Sequence, residues 1–233
     1  MKILAIIPAR GGSKRLPGKN IKVLNGKPLI QWSIESALGV DNICKVMVST
    51  DCQEIADIAL ESGAEVPFLR PEALATDTSS SSDVIKHALD YYRDQGEIFD
   101  FILLLQPTSP IRNAKHNVEA IELLKFKQAD AIVSVCESEH SPLWANTLPD
   151  DLSMDLFIRD EIKNTRSQDL PSFYRLNGAI YLAHVERFYK EGSLFLSSNI
   201  YAYKMDNESS VDIDHELDFL LAETILKYKG QNA

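Results

Sequence analysis

The sequence predicts an α/β fold: a mostly parallel sheet with helices on both faces, plus one small inserted arm. Three observations predict it. Short apolar runs alternate with segments whose apolar residues recur at helical spacing. The first apolar run empties directly into a basic, glycine-rich loop. The 233 residues, 45% hydrophobic and 25% charged, suit one soluble domain with a full core.

Taken in order, Ile3–Ile7 reads as a buried strand. Pro28 opens a helix carrying Leu29, Trp32, Ile34 and Ala37, which Gly39 stops. Lys45–Thr50 is a second core strand. Ile55, Ala56, Ala59 and Leu60 fall on one helical face closed by Gly63. Glu65–Leu69 contains Pro67 and reads as an edge or irregular strand. Val84, Ile85, Ala88, Leu89 and Tyr92 mark a helix, and Phe99–Leu105, the most apolar run, a central parallel strand. A helix through Val118, Ile121 and Leu124 and a strand at Ala131–Val135 follow. Residues 138–176 break the rhythm with Pro142, Pro149 and Pro171 and little periodicity; they read as an inserted arm within a single domain over 1–233. Strands return at Ala179–Leu182 and Ile200–Tyr203, and a last helix carries Leu217, Leu220, Leu221 and Ile225.

The net charge of −10 argues against a general nucleic-acid or acidic-membrane binder. Yet Met1 to Ile34 holds seven Lys or Arg and no carboxylate, which points to a local anion site rather than a merely solvated loop. Cys44, Cys52 and Cys136 form no C-x-x-C pair, as in a reducing compartment. The run after Lys2 is too short for a signal-peptide core of ~7–15 residues, and nothing approaches a membrane span of ~20. A cytoplasmic protein is expected.

The loop I-P-A-R-G-G-S-K-R-L-P-G-K-N (7–20) fails both common phosphate motifs. Against G-x-x-x-x-G-K-[ST], Ser13 stands where the first glycine belongs and Asn20 replaces the magnesium-holding hydroxyl. Against G-x-G-x-x-G, nothing after Gly11 and Gly12 fits until Gly18. What remains is Arg10, Lys14, Arg15 and Lys19 spread along a loop whose glycines admit close approach of an anion. Point charges and a planar fork on a triphosphate are chemistry for nucleotidyl transfer. Asp212 and Asp214 flank Ile213, so in an extended segment both carboxylates face one side, a platform for Mg²⁺. The competing reading is an acidic loop in which Asp214 caps the last helix, with Leu217 as its N3 residue. The five histidines show no metal-ligand spacing, and Ser79–Ser82 lack the G-x-S-x-G elbow of a hydrolase.

The opening loop resembles the nucleotide loop of the CMP-sialic acid synthetases (acylneuraminate cytidylyltransferases). V-S-T-D (48–51), R-P-E-x-L-A-T-D-T (70–78), L-L-Q-P-T-S-P-I-R (104–112), N-G-A-I-Y (177–181) and D-I-D-H-E-L-D (212–218) resemble that family in the same order, so the likeness covers the chain end to end. The resemblance implies a Rossmann-like fold of the nucleotide-diphospho-sugar transferase type. It also implies an enzyme joining CTP to a nonulosonic acid, with pyrophosphate released and Mg²⁺ as cofactor. It places Arg10, Gly11, Gly12, Ser13, Lys14, Lys19 and Asn20 on the triphosphate and Arg70, Ser79, Ser81 and the Asp77–Ser81 loop near the cytidine. Arg10, Lys14, Lys19, Asp212 and Asp214 are then the catalytic group, with the two aspartates as metal ligands. Gln106, Arg166, Arg175, Asn177, Tyr181 and Phe195 fall at sugar-site positions. From the residues alone, Arg70 also reads as a surface salt bridge, Gln106 as a loop-packing amide, and Tyr181 and Phe195 as core aromatics. The resemblance further implies that the arm makes a homodimer and delivers Arg166 into the partner's site.

Two departures lie in the sugar pocket. Trp144 stands where some members carry a lysine, and Leu194 where some carry a second aromatic. They point to an acceptor related to N-acetylneuraminic acid, such as legionaminic acid. The rival readings are a CMP-Kdo synthetase, another sugar nucleotidyltransferase of the same fold, or a non-catalytic nucleotide sensor.

Overall fold

The computed structural model describes residues 1–76 and 78–231. Six strands form one sheet: β1 (Ile3–Pro8), β4 (Ile43–Ser49), β5 (Phe101–Leu104), β6 (Ala131–Glu137), β7 (Tyr174–His184) and β8 (Ile200–Met205). A two-stranded hairpin, β2 (Val23–Leu24) and β3 (Lys27–Pro28), lies apart from it. The sheet order is β4-β1-β5-β7-β6-β8. Only β7 runs against its neighbours β5 and β6, so the expected mostly parallel sheet is present. Helices are α1 (Leu29–Leu38), α2 (Gln53–Glu61), α3 (Ser81–Asp94), α4 (Ala114–Lys127), α5 (Val185–Glu191) and α6 (Glu216–Gln231).

Both sheet faces are covered, which is why β1 is apolar on both sides. Ile3, Ala5 and Ile7 pack with Ile30 and Ile34 of α1 and Ile55 of α2. Leu4 and Ile6 pack on the opposite face with Ile85 and Leu89 of α3. A third cluster joins Leu16 of the basic loop, Leu24, Leu29, Ile111, Ile213 and Phe219. It brings the two ends of the chain together, since full burial of Ile213 alone contributes roughly 1.5–3 kcal/mol.

Residues 65–69 make only isolated bridges, Met47 to Glu65 and Thr50 to Leu69, the irregular segment expected from Pro67. Other details differ from the expectations. Leu60 is exposed, and α2 buries Ile55, Ala56 and Ala59. In α6, Leu217, Leu220 and Leu221 are exposed, whereas Phe219 and Ala222 are buried. The arm ends three residues early, because Tyr174, Arg175 and Leu176 pair with β6 as part of β7. It is thus the long connection of a β6–β7 hairpin, closed at its base by the Ser138 N–H donating to the Phe173 carbonyl at 2.8 Å. The Asn25-Gly26 turn between β2 and β3 has φ of 47° and 90°, the left-handed pair that such two-residue hairpins need. No described helix is long and apolar enough to cross a membrane.

Candidate active site

The basic loop leaves β1 at the carboxyl edge of the sheet, where ligands of open α/β sheets bind. A cavity of about 300 Å³ opens there. Arg10, Ser13, Lys19 and Asn20 line it from the loop, Arg70, Thr76 and Ser79–Ser81 from the facing segment, and Gln106–Thr108 from the end of β5. A second cavity of about 160 Å³ adjoins it, lined by Tyr181, Ser193, Leu194 and Phe195 together with Ser81 and Gln106. Ser81 and Gln106 line both. The β5–β7 register explains the neighbourhood, since Tyr181 pairs with Leu104, two residues before Gln106.

Within the loop, Gly11 is required by close packing: a Cβ there would stand 2.9 Å from the Cys52 Cβ at the start of α2. Its N–H, expected to face an anion, donates to Asp51 Oδ1 at 2.9 Å. Gly12 faces open space. Asn20 is buried and ties the loop to itself, its Nδ2 donating to the Arg10 carbonyl at 2.9 Å. Lys14 is exposed. Lys19 donates to the Ile213 carbonyl at 2.7 Å and lies 3.7 Å from Asp214 Oδ1. Burial lowers its pKa, against the raising influence of Asp214 and Asp212.

Ile213 is fully buried, so the carboxylates on either side turn away from the core as the alternation predicts. Asp214 is not the helix cap: the N–H groups of Asp214 and His215 both donate to Asp218, at 2.9 and 2.7 Å, leaving the Asp214 carboxylate to Arg15 at 2.5 Å and to Lys19. Packing on its inner side raises the pKa of Asp212; the Thr108 hydroxyl and Lys19 oppose the shift and Asp214 adds to it. A carboxylate so disposed gains from a cation. Among the described residues no group of three or more His, Cys, Asp or Glu could hold a metal, so a cation bound here would need oxygen ligands from outside the protein as well.

Other predicted residues take varied places. Arg70 is 6% exposed and anchored: its Nε donates to Ser49 Oγ at 3.0 Å, its Nη2 to the Ser49 carbonyl, and its Nη1 to the Leu74 carbonyl at 3.4 Å. The surface salt-bridge alternative is therefore excluded, although the side chain still lines the first cavity. Ser79 donates to the Ala73 carbonyl at 3.1 Å, and Ser80 caps α3 by accepting from the Asp83 N–H at 3.1 Å. Asp77 lies outside the described residues. Tyr181 and Phe195 meet edge to face at 5.8 Å and wall the second cavity. Arg166 sits exposed in the arm and Arg175 exposed on β7, 3.9 Å from Glu139; neither lines these two cavities in its own chain.

Asn177 is 1% exposed and faces inward. The β6–β7 register shifts between Val133 and Val135, and Ser134 fills the irregularity: its hydroxyl accepts from the Ile180 N–H at 2.8 Å and donates to Asn177 Oδ1 at 2.6 Å. Asn177 Nδ2 donates in turn to Ser210 Oγ at 2.9 Å. Gly178 follows at φ 74°, and a Cβ there would stand 3.1 Å from Gln106 Oε1 and 4.0 Å from Asp212 Oδ2. Asn177 and Gly178 thus shape the strand that brings Gln106 and Asp212 together. Thr108, which lines the first cavity, has the L-L-Q-P-T-S-P-I-R run as its only sequence signal.

A family model described as Cytidylyltransferase matches residues 4–227. The chain belongs to the cytidylyltransferase family. An N-acylneuraminate cytidylyltransferase of Escherichia coli is 41% identical over 99% of this chain, which spans only 53% of that relative's length. A CMP-N,N'-diacetyllegionaminic acid synthase of Legionella pneumophila is 37% identical over 97% of both chains. A solved CMP:2-keto-3-deoxy-manno-octonic acid synthetase complexed with CTP superposes with a TM-score of 0.71 over 98% of this chain and 100% of its own. At 18% identity it shows this cytidylyltransferase's fold alone.

Proposed function

We propose that this cytidylyltransferase transfers the cytidylyl group of CTP to the anomeric hydroxyl of a nonulosonic acid, releasing pyrophosphate. The observation that carries the reading is the pair of adjoining cavities with Ser81 and Gln106 between them. An in-line displacement at the α-phosphorus needs the attacking hydroxyl on one side and the leaving pyrophosphate on the other, and two joined cavities offer both. Arg10, Lys14 and Lys19 neutralise the triphosphate as charge moves onto the leaving group. Gln106 presents its amide to the sugar, and Tyr181 and Phe195 give its ring an apolar wall.

Asp212 and Asp214 would hold Mg²⁺, which would supply charge neutralisation to the phosphate oxygens. The pair also offers an acceptor for the proton of the attacking hydroxyl.

The arm serves a homodimer in this reading. It exposes Leu148, Leu152, Met154 and Leu156, which a second copy would cover, and Arg166 reaches sugar only in a partner's site. Trp144, 37% exposed in the arm, then packs on an acyl or deoxy group instead of supplying a lysine's charge, which favours a legionaminic-type acid. The relatives' names fit both this acid and N-acylneuraminate. Comparing kcat/KM for N-acetylneuraminic and N,N'-diacetyllegionaminic acid tests the choice: the second is expected to be preferred, and a strong preference for the first removes it. Light scattering during gel filtration tests the dimer, which a monomeric active enzyme would refute.

A further inference from the structure

Arg112 has no part in the chemistry above, yet it is the largest fully buried side chain of the protein, 1% exposed. Among the described residues no carboxylate pairs with it. Its guanidinium donates instead to neutral acceptors on three elements. Nη1 serves two carbonyls, Gln106 at 3.2 Å and Ala179 at 2.9 Å. Nη2 donates to Ser33 Oγ at 2.6 Å and Nε reaches Ser36 Oγ at 3.4 Å, both on α1. Ser33 Oγ also donates to the Gln106 carbonyl, at 3.3 Å. Ser36 is held from α4 by Asn117, whose Nδ2 donates to the Ser36 carbonyl at 2.9 Å. Burial without a counter-charge pulls the Arg112 pKa down.

A buried cation is costly and weak evidence for stability, and apolar replacements of such groups are often neutral or better. The neutral acceptors give Arg112 a different meaning. One nitrogen grips the backbone of Gln106 and the backbone of β7 one residue after Gly178. Gly178 is the residue whose missing side chain lets the Gln106 amide oxygen come close. Arg112 therefore fixes the main chain on both sides of the same contact.

We propose that Arg112 is a positioning residue, which registers the loop after β5 against β7 and so sets the Gln106 amide between the two cavities. It acts on the sugar acid through Gln106 and leaves the nucleotide contacts of the basic loop untouched. A lysine keeps the charge and can reach a carbonyl, but it has no second nitrogen to hold Ser33 on α1 while the first serves both carbonyls.

This inference rests on the proposed function for its kinetic consequence, so it is tested with one kinetic and one non-kinetic readout. The variants are Arg112→Lys and, as a milder change that keeps the guanidinium, Ser33→Ala. In the kinetic arm the sugar-acid KM is expected to rise about tenfold in Arg112→Lys. Ser33→Ala should show a smaller rise of the same kind, with the calorimetric Kd for CTP within twofold of wild type in both. Arg112→Lys added to Gln106→Ala is expected to cost nothing beyond Gln106→Ala alone. In the other arm, the Gln106 side-chain amide signals in ¹H–¹⁵N spectra of the ligand-free protein shift or broaden in both variants, while those of Asn20 stay. Equal losses for CTP and sugar, multiplying losses with Gln106→Ala, or an unmoved Gln106 signal would overturn the inference. A wild type that turns over no sugar acid refutes the proposed function instead, and the spectra still decide the role of Arg112.

Discussion

Replacing Gly178 by alanine separates two effects that a glycine in a strand combines. The residue sits at φ 74°, where a side chain costs about 1–3 kcal/mol of backbone strain. For a protein of this size, that loss lowers the melting temperature by about 2–12 °C. The added Cβ would also stand 3.1 Å from Gln106 Oε1, so the amide must retreat by a few tenths of an ångström. Strain alone is expected at Gly192, φ 67° with nothing within 4 Å of its Cβ, after α5. Gly178→Ala and Gly192→Ala should therefore melt at similarly reduced temperatures by differential scanning calorimetry. Only Gly178→Ala should raise the sugar-acid KM, by roughly tenfold, because small misplacements of a positioning group are expensive. A Gly178→Ala enzyme as unstable as Gly192→Ala but with an unchanged sugar-acid KM would refute the claim that close approach at Gly178 places Gln106.

Asp214→Asn should cut pyrophosphate release by about 10²-fold or more while leaving the circular dichroism spectrum and melting curve near wild type; near-normal turnover would remove the metal assignment. Asn177→Ala leaves the Ser134 and Ser210 hydroxyls short of a buried partner and should cost about 1–3 kcal/mol in urea unfolding; a loss under 0.5 would show that the β7 irregularity does not need it. Asp100 accepts the Lys2 N–H at 2.6 Å and lies 3.6 Å from the amino terminus, which holds its pKa below the ordinary value, the Lys2 bond most of all. Its folded pKa lies below the unfolded one of ~3.9, so its stabilisation is present above that pH and lost as pH falls through the folded value. Wild type should exceed Asp100→Asn in stability at pH 7, and the gap should close on acidification below about pH 4; a constant gap would contradict the linkage.

What the sequence revealed depended on whether a pattern had one physical solution. The runs Ile3–Ile7 and Phe101–Leu104 are apolar without interruption, and only strands covered on both faces satisfy that. The basic loop likewise had to sit at the strand's carboxyl end. In α6 the pattern was ambiguous. Leu217, Leu220 and Leu221 lie on one side and Phe219 and Ala222 on another, and the third core cluster, not periodicity, chose the second. Asp214 and Asp218 are both acidic residues near the start of the same helix, and spacing alone did not say which would accept its N–H groups. The Asn25-Gly26 hairpin is legible in its dipeptide alone, which favours φ > 0 at both positions. Asn177 and Arg112 were visible within motifs, but burial of a polar side chain depends on neighbours brought from distant elements: Ser134 and Ser210 for one, Ser33 and Ser36 for the other. Arg175 is exposed because Tyr174–Leu176 extend β7 and pair with β6, a pairing that the aperiodic residues before them do not signal.

The most direct test of the central claim is coupled pyrophosphate release from the purified chain with Mg²⁺, one of CTP, UTP or ATP, and a panel of nonulosonic acids. Release is expected to require CTP and a nonulosonic acid together and to be lost on chelation of the metal, with a CMP-sugar formed in equal amount. Binding of CTP with no release for any acid in the panel, or release that proceeds equally well without a sugar acid, would contradict that claim.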